Sequence, residues 1–179
     1  MSRIGIFCGA RTGNGNGYVE IARSVGERIA DERFGIVYGG GRVGLMGVIA
    51  DAALARGGEV IGVIPQALAA LEVAHTGLTQ LHVVGTMHER KALMADLSDG
   101  FVALPGGYGT MDEFCEIVTW AQLQLHAKPI GILNVAGYYD KLLALFDFMV
   151  DEGFLTPKNR SLVISAATID ALLDAMRMR

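Results

Sequence analysis

Short continuous apolar runs alternate with stretches of helical periodicity along the whole chain. The apolar runs predict strands at 3–8, 35–38, 59–64, 81–84, 101–104, 129–133 and 162–165, and the periodic stretches predict helices at 18–31, 45–56, 87–97, 110–125, 138–152 and from 168 onward. Continuously apolar strands are typical of a parallel sheet that helices cover on both faces. The pattern therefore predicts a doubly wound α/β fold.

Length and composition set broad bounds on this prediction. The 179 residues suit one α/β domain spanning 1–179, without a repeat, a low-complexity segment or a linker. The net charge of −4 argues against binding to a nucleic-acid backbone. We expect a cytoplasmic protein because no signal peptide or membrane span is recognisable. Cys8 and Cys115 lack CxxC spacing and are expected to be reduced thiols.

Three glycine-rich turns follow predicted strands, after Cys8, Tyr38 and Leu104. We call them the first glycine turn (residues 9–17), the second glycine turn (39–44) and the third glycine turn (105–109). In open α/β sheets, ligands bind beyond the carboxyl ends of the strands, where these turns lie. The third turn leads directly into a predicted helix, so its backbone N–H groups and the helix dipole favour a phosphate.

The second glycine turn fits the GxGxxG pattern of dinucleotide-binding sites. It follows the second predicted strand rather than the first, and the next strand ends at Pro65 rather than at an acidic residue. The match is therefore weak evidence for a dinucleotide. Two interpretations stay open: glycines required only for close packing of helix and strand, or a turn that lines a mononucleotide site. A GxxxxGK[ST] phosphate loop does not occur in the sequence.

Arg90 is the first candidate for site chemistry. Thr86 and Glu89 have the spacing of a capping box, which places the start of a helix at Met87. Arg90 then shares a helical stripe with apolar residues and should point inward, where a buried arginine requires an anion. A structural ion pair would also explain it. Lys91 lies off the stripe and is consistent with a solvated neighbour.

Glu113 is the second candidate and also has two interpretations. Thr110 and Glu113 form another capping-box pattern, in which the glutamate only accepts a hydrogen bond from the Thr110 N–H. Alternatively, Glu113 is a catalytic carboxylate one helical turn beyond the phosphate. Asp112 and Glu116 lie nearby, and we expect a cation such as Arg90 to relieve the repulsion among the three carboxylates.

The helix predicted at 110–125 carries apolar residues on two faces, and charged residues make up only 19% of the chain. One face suits the sheet and the other suits a second subunit, which predicts a homodimer. The four histidines show no metal-ligand spacing, so no metal site is predicted. No GxSxG motif or arguable Ser/His/Asp set occurs.

Several of these segments together resemble one enzyme family. They are the PGGxGTxxE motif at 105–113, Arg90-Lys91, the glycine-rich segment 39–47, Phe7-Cys8-Gly9 and the run 119–122. This ordered set is similar to the LOG (lonely guy) family of cytokinin riboside 5′-monophosphate phosphoribohydrolases. Members of that family have often been labelled lysine decarboxylases, but no lysine here has a recognisable pyridoxal-phosphate setting. Ala10 departs from the family pattern, in which serine is common at this position.

The resemblance implies a Rossmann-like homodimer that cleaves the N-glycosidic bond of a purine nucleoside 5′-monophosphate and needs no cofactor. It implies catalytic roles for Arg90 and Glu113. It implies substrate binding by these two residues and by Glu72, Lys91, Gly107, Tyr108, Gly109, Thr110, Met111, Asp112 and Thr119. Adenine and N6-prenylated adenine both remain open as the base.

Two other function classes stay open from the residues alone. A non-catalytic nucleotide-binding or sensor protein would use the same loops and leave AMP intact. A nicotinamide-dependent oxidoreductase would bind NAD(H), although the position of the GxGxxG pattern weakens this hypothesis.

Overall fold

The computed structural model describes residues 1–15, 17–69 and 74–176. Within these residues, seven strands form one sheet in which every strand pairing is parallel. The strands are β1 (Arg3–Phe7), β2 (Gly35–Tyr38), β3 (Val60–Pro65), β4 (Gln80–Val84), β5 (Gly100–Ala103), β6 (Ile130–Leu133) and β7 (Val163–Ala166). The helices are α1 (Tyr18–Asp31), α2 (Gly44–Ala55), α3 (Gln66–Ala69), α4 (Met87–Leu97), α5 (Tyr108–Gln122), α6 (Asp140–Asp151), α7 (Pro157–Arg160) and α8 (Ile169–Ala175).

The strand order is β4-β3-β2-β1-β5-β6-β7, which confirms the predicted doubly wound fold. The chain builds outward from β1 to β4 and then returns to place β5 on the other side of β1. The loops after β1 and β5 therefore leave the sheet in opposite directions and open a crevice between them. The first and third glycine turns follow these two strands and lie at this crevice.

Apolar side chains pack on both faces of the sheet. One cluster joins the strands to α1, α2 and α8 through fully buried side chains such as Val25, Ile49 and Leu172. The other joins them to α4 and α5 through Met94 and Phe114. No helix among the described ranges is both long and apolar enough to cross a membrane.

The predicted boundaries of α1, β2 and α4 agree with the structure, whereas those of α5 do not. This helix begins at Tyr108, two residues before the predicted start, and ends at Gln122. Gln124 has a positive φ of 62°, so the helix stops before Leu125, which is 69% exposed. The short helices α3 and α7 and a 3-10 turn at Val135–Gly137 were not predicted, because each is too short to show periodicity.

Candidate functional site

Backbone hydrogen bonds join the first glycine turn to the third glycine turn and to the start of α2. The Gly9 N–H donates to the Pro105 carbonyl over 3.1 Å, and the Gly9 carbonyl accepts from the Leu45 N–H over 3.0 Å. Gly9 therefore connects the third turn to the start of α2, which follows the second turn. The loops beyond β1, β2 and β5 form one continuous structure.

A cavity of about 380 Å³ lies where these loops meet. Its walls come from the first and third glycine turns, the start of α2, and helices α4 and α5. Two tyrosines contribute aromatic surface. The lining residues are 8–13, Tyr18, Leu45, Met46, Met87, Arg90, 105–107, Gly109, Thr110, Glu113 and Tyr138. Its size is in the range of small-molecule sites.

The third glycine turn presents backbone to this cavity. Gly107 is the N-cap of α5, and the Met111 N–H donates to its carbonyl over 3.1 Å. The N–H groups before Met111 belong to the helix start, where intrahelical acceptors are missing. A Cβ built on Gly107 or Gly109 would meet no atom within 4 Å. The backbone is thus open to an anion, with the positive end of the helix dipole behind it.

Arg90 points inward, as its stripe predicted, and is 4% exposed. Its Nε donates to the Val63 carbonyl over 3.1 Å, and its Nη2 donates to the Gly39 carbonyl over 2.7 Å. These carbonyls come from β3 and from the end of β2, so the guanidinium is fixed against the sheet while it also lines the cavity. A charged donor in two such bonds is strongly oriented.

Glu113 also lines the cavity and lies in the second helical turn of α5. The capping-box interpretation is wrong, because Gly107 is the N-cap and Thr110 is a buried residue inside the helix. The helix begins with Tyr108 and Gly109 and therefore extends backward past Thr110. Burial, and secondarily the charge of Glu113, raise the pKa of the Cys8 thiol and keep it protonated.

Lys91 lies outside the cavity and pairs with two acidic residues of α5. Its Nζ is 3.1 Å from Asp112 and 3.2 Å from Glu116. Partial burial disfavours the charge of Lys91, but the hydrogen bonds to these carboxylates outweigh it and raise its pKa. Lys91 relieves the repulsion between Asp112 and Glu116, and the expected solvated lysine is instead an interhelical ion pair.

The remaining predicted residues are distributed unevenly. Gly107, Gly109 and Thr110 line the cavity with Arg90 and Glu113, whereas the cavity lining does not include Tyr108, which is 97% exposed, or Met111 and Asp112. Thr119 borders a separate apolar cavity of about 150 Å³ between α5, α6 and α7, and its hydroxyl donates to the Cys115 carbonyl. The prediction for Glu72 lies outside the described residues.

Sequence reasoning missed the aromatic part of the cavity. Tyr18 opens α1, and Tyr138 follows the carboxyl end of β6. Both residues follow loops on the ligand-binding edge of a parallel sheet, and this topological position is the signal that would have indicated them. In the described ranges, no three His, Cys, Asp or Glu side chains come together as a metal site.

Comparison with known proteins gives consistent results. A family model described as possible lysine decarboxylase matches residues 46–176. A cytokinin riboside 5′-monophosphate phosphoribohydrolase from Rhodococcoides fascians is 51% identical over 97% of this chain and 88% of its own. A protein of the same name from Arabidopsis thaliana is 46% identical over 97% of this chain and 80% of its own.

Solved structures with much lower sequence identity share the fold. A molybdenum cofactor binding protein from Rippkaea orientalis has a TM-score of 0.72 at 20% identity, covering 99% of this chain and 96% of its own. The Moco carrier protein from Chlamydomonas reinhardtii has a TM-score of 0.71 at 22% identity, covering 98% and 95%. With this fold and its sequence similarity to the first two relatives, the chain belongs to the family of cytokinin riboside 5′-monophosphate phosphoribohydrolases.

Proposed function

We propose that this chain hydrolyses the N-glycosidic bond of a purine nucleoside 5′-monophosphate, either AMP or a cytokinin-type N6-modified counterpart, and releases the free base and ribose 5-phosphate. One observation carries the proposal. An anion-binding helix start, a carboxylate and a buried arginine line the same cavity. The names of the similar enzymes support the same reaction.

The 5′-phosphate binds at the third glycine turn. The N–H groups of Gly107 and Gly109, at a helix start that no side chain caps, and the dipole of α5 complement its charge. A neutral 5′-hydroxyl would gain little from these groups. Binding energy from the phosphate, which does not react, then orients the sugar for the reaction at C1′.

Glu113 acts at the reacting carbon. Departure of the purine leaves positive charge on the ribose, as in the oxocarbenium-like transition state of glycoside hydrolysis, and a carboxylate stabilises that charge. Glu113 also orients and deprotonates the attacking water. The oxygen of this water bonds to C1′ and the bond from C1′ to the purine nitrogen breaks. The proton that Glu113 took from the water passes, directly or through solvent, to the departing base, so the carboxylate is ionised again.

Arg90 supplies the positive charge of the site. Two bonds to backbone carbonyls hold its guanidinium in place at the wall of the cavity that it lines. It either binds the phosphate or keeps Glu113 ionised. The Arg90→Lys substitution separates these roles. A loss of phosphate affinity indicates that Arg90 binds the phosphate. Unchanged affinity with a raised pKa of Glu113 in the pH profile of kcat indicates that Arg90 keeps Glu113 ionised.

We further propose that the protein is a cytoplasmic homodimer built as one nucleotide-binding domain without a cofactor. Several large apolar side chains are exposed near the ends of α5 and α6, including Leu123, Phe148 and Phe154. A second subunit would cover such a surface. Light scattering at micromolar concentration is expected to give twice the monomer mass, and a monomer mass would refute the dimer.

Product analysis tests the reaction. The protein is incubated with AMP and with isopentenyladenosine monophosphate, and the products are separated. We expect free base and ribose 5-phosphate in equal amounts, and the faster substrate identifies the preferred base. Tight binding with complete recovery of both nucleotides would instead indicate a carrier or sensor.

A further inference from the structure

Two consecutive tyrosines hold the strand-to-helix connection that contains the third glycine turn. Tyr138 and Tyr139 lie between β6 and α6, more than thirty residues further along the chain. The Tyr139 hydroxyl donates to the Leu104 carbonyl over 2.6 Å, and the Tyr138 hydroxyl donates to the Gly106 carbonyl, also over 2.6 Å. The two bonds are alike in chemistry and length.

The two bonded peptide groups differ in one respect. In a trans peptide the carbonyl and the following N–H point in opposite directions, and the described residues contain no cis peptide bond. A hydrogen bond to the Gly106 carbonyl therefore fixes the direction of the Gly107 N–H. The Leu104 carbonyl precedes Pro105, which has no N–H, so the bond from Tyr139 directs no donor.

The surroundings of the two rings differ as well. Tyr139 is 3% exposed and belongs to the core, whereas Tyr138 is 43% exposed and lines the cavity. The Tyr138 ring packs edge-to-face against Tyr18 at 6.0 Å and against Tyr139 at 4.9 Å between ring centroids. These contacts hold the ring in place, so its hydroxyl is directed at the turn before any ligand arrives.

We propose that Tyr138 is a positioning residue for phosphate recognition, which rests on the function proposed above. Its hydroxyl holds the peptide group between Gly106 and Gly107 so that the Gly107 N–H is aimed at the 5′-phosphate. The Gly9 N–H donates to the Pro105 carbonyl and so holds the preceding peptide group, between Pro105 and Gly106, in place. Tyr138 acts through the backbone and does not need to touch the phosphate.

The test compares Tyr138→Phe with Tyr139→Phe, because each variant keeps its ring and loses one hydroxyl. Affinity for ribose 5-phosphate is measured by calorimetry, and kcat/KM is measured for AMP and for adenosine. For Tyr138→Phe we expect about tenfold weaker binding of ribose 5-phosphate and a similar fall in kcat/KM for AMP, through KM, with little change for adenosine. For Tyr139→Phe we expect a lower Tm and wild-type affinity for ribose 5-phosphate.

Two outcomes would overturn the inference. One is wild-type affinity of Tyr138→Phe for ribose 5-phosphate. The other is an equal loss of affinity in both variants, which would mean that the hydroxyls only support the fold. Failure of the proposed function is a different result, in which the wild-type protein consumes no nucleoside monophosphate. In that case the calorimetric comparison of the two variants would still test the role of Tyr138.

Discussion

The second and third glycine turns look alike in sequence but need glycine for opposite reasons. In the second turn, a Cβ on Gly39 would lie 2.1 Å from Nη2 of Arg90, and a Cβ on Gly44 would lie 2.2 Å from the carbonyl carbon of Ala10. In the third turn, a Cβ on Gly107 or Gly109 would meet no atom within 4 Å. Atoms of the protein itself fill the space beside Gly39 and Gly44, and also beside Gly106 at the start of the third turn, whereas the space beside Gly107 and Gly109 is open.

This difference separates two functions of glycine. The second turn accommodates Arg90 and the backbone of the first turn, and its glycines are absent from the cavity lining. The structure thus favours close packing over the alternative of a site-lining turn, although Leu45 and Met46, just beyond it, do reach the cavity. We infer that the open space beside Gly107 and Gly109 is kept for the ligand.

The largest expected effects concern the two charged side chains at the cavity. Glu113→Gln and Arg90→Ala are each expected to lower kcat at least about a hundredfold, because each removes a positioned acid–base or charge-stabilising group. Steady-state kinetics on the monophosphate measure this, with circular dichroism to verify folding. A folded Glu113→Gln protein with wild-type kcat would refute the catalytic assignment.

A smaller effect is expected when the second turn is filled. Gly39→Ala places a methyl group where Nη2 of Arg90 lies, without a positive φ at residue 39 to oppose it. The arginine side chain has to move, and we expect kcat to fall by about tenfold or more, within the range set by losing one oriented charged group. Combining Gly39→Ala with Arg90→Ala should cause no loss beyond that of Arg90→Ala alone. Additive losses would show that Gly39 acts independently of Arg90.

Filling the third turn should affect binding but not folding. Gly107→Ala has room for its methyl group, so we expect an unchanged Tm and about tenfold weaker ribose 5-phosphate binding, the effect of about one lost charge-assisted hydrogen bond. Gly44→Ala is the matched contrast. It combines a φ of 65° with backbone contact and should cost about 1–3 kcal/mol of stability. Thermal melts and calorimetry measure both variants. A loss of stability in Gly107→Ala together with a loss of affinity only in Gly44→Ala would contradict the comparison.

The smallest expected effect lies away from both turns, at the opposite end of the sheet. A hydrogen bond from Arg3 holds the pKa of Glu59 below 4.5, so the folded state binds a proton there less readily than the unfolded state. This stabilisation is present above pH 4.5 and is lost as pH falls through the folded pKa. Glu59→Gln should lower stability at pH 7 by at most about 1 kcal/mol, because both side chains are partly exposed.

Denaturant titrations of wild type and Glu59→Gln at pH 7 and at acid pH measure this difference. The two proteins should converge at acid pH and have equal kcat/KM at pH 7. A change in kcat/KM would show that a substitution at this end of the sheet also affects the site at the other end.

The alternation of strands and helices was predictable because burial on both faces of a parallel sheet leaves a strong apolar pattern. The TxxE spacing was ambiguous. Thr86 is a true N-cap whose hydroxyl accepts from the Glu89 N–H over 3.1 Å, whereas Thr110 lies inside its helix. The residues before Thr110 can adopt helical backbone, and the spacing of a capping box carries no information about them.

Long-range partners account for the other differences. Helical periodicity indicated that Arg90 points inward, but the carbonyls that bind it belong to Gly39 and Val63, far away in sequence. Lys91 was misread because its acidic partners lie on another helix. Tyr138 was missed for the same reason, since its acceptor is a backbone carbonyl that every residue type possesses.

The backbone bonds of Gly9 have a consequence for amide hydrogen exchange. The Gly9 and Leu45 amides are already bonded to carbonyls of neighbouring loops, so their exchange should be slow without ligand and should report the opening of all three loops together. The Gly107 and Gly109 amides, at the exposed start of α5, should exchange fast until an anion binds. Hydrogen-exchange spectra of the free protein would therefore distinguish the slowly exchanging amides, which hold the loops together, from the rapidly exchanging amides, which we expect to bind the ligand.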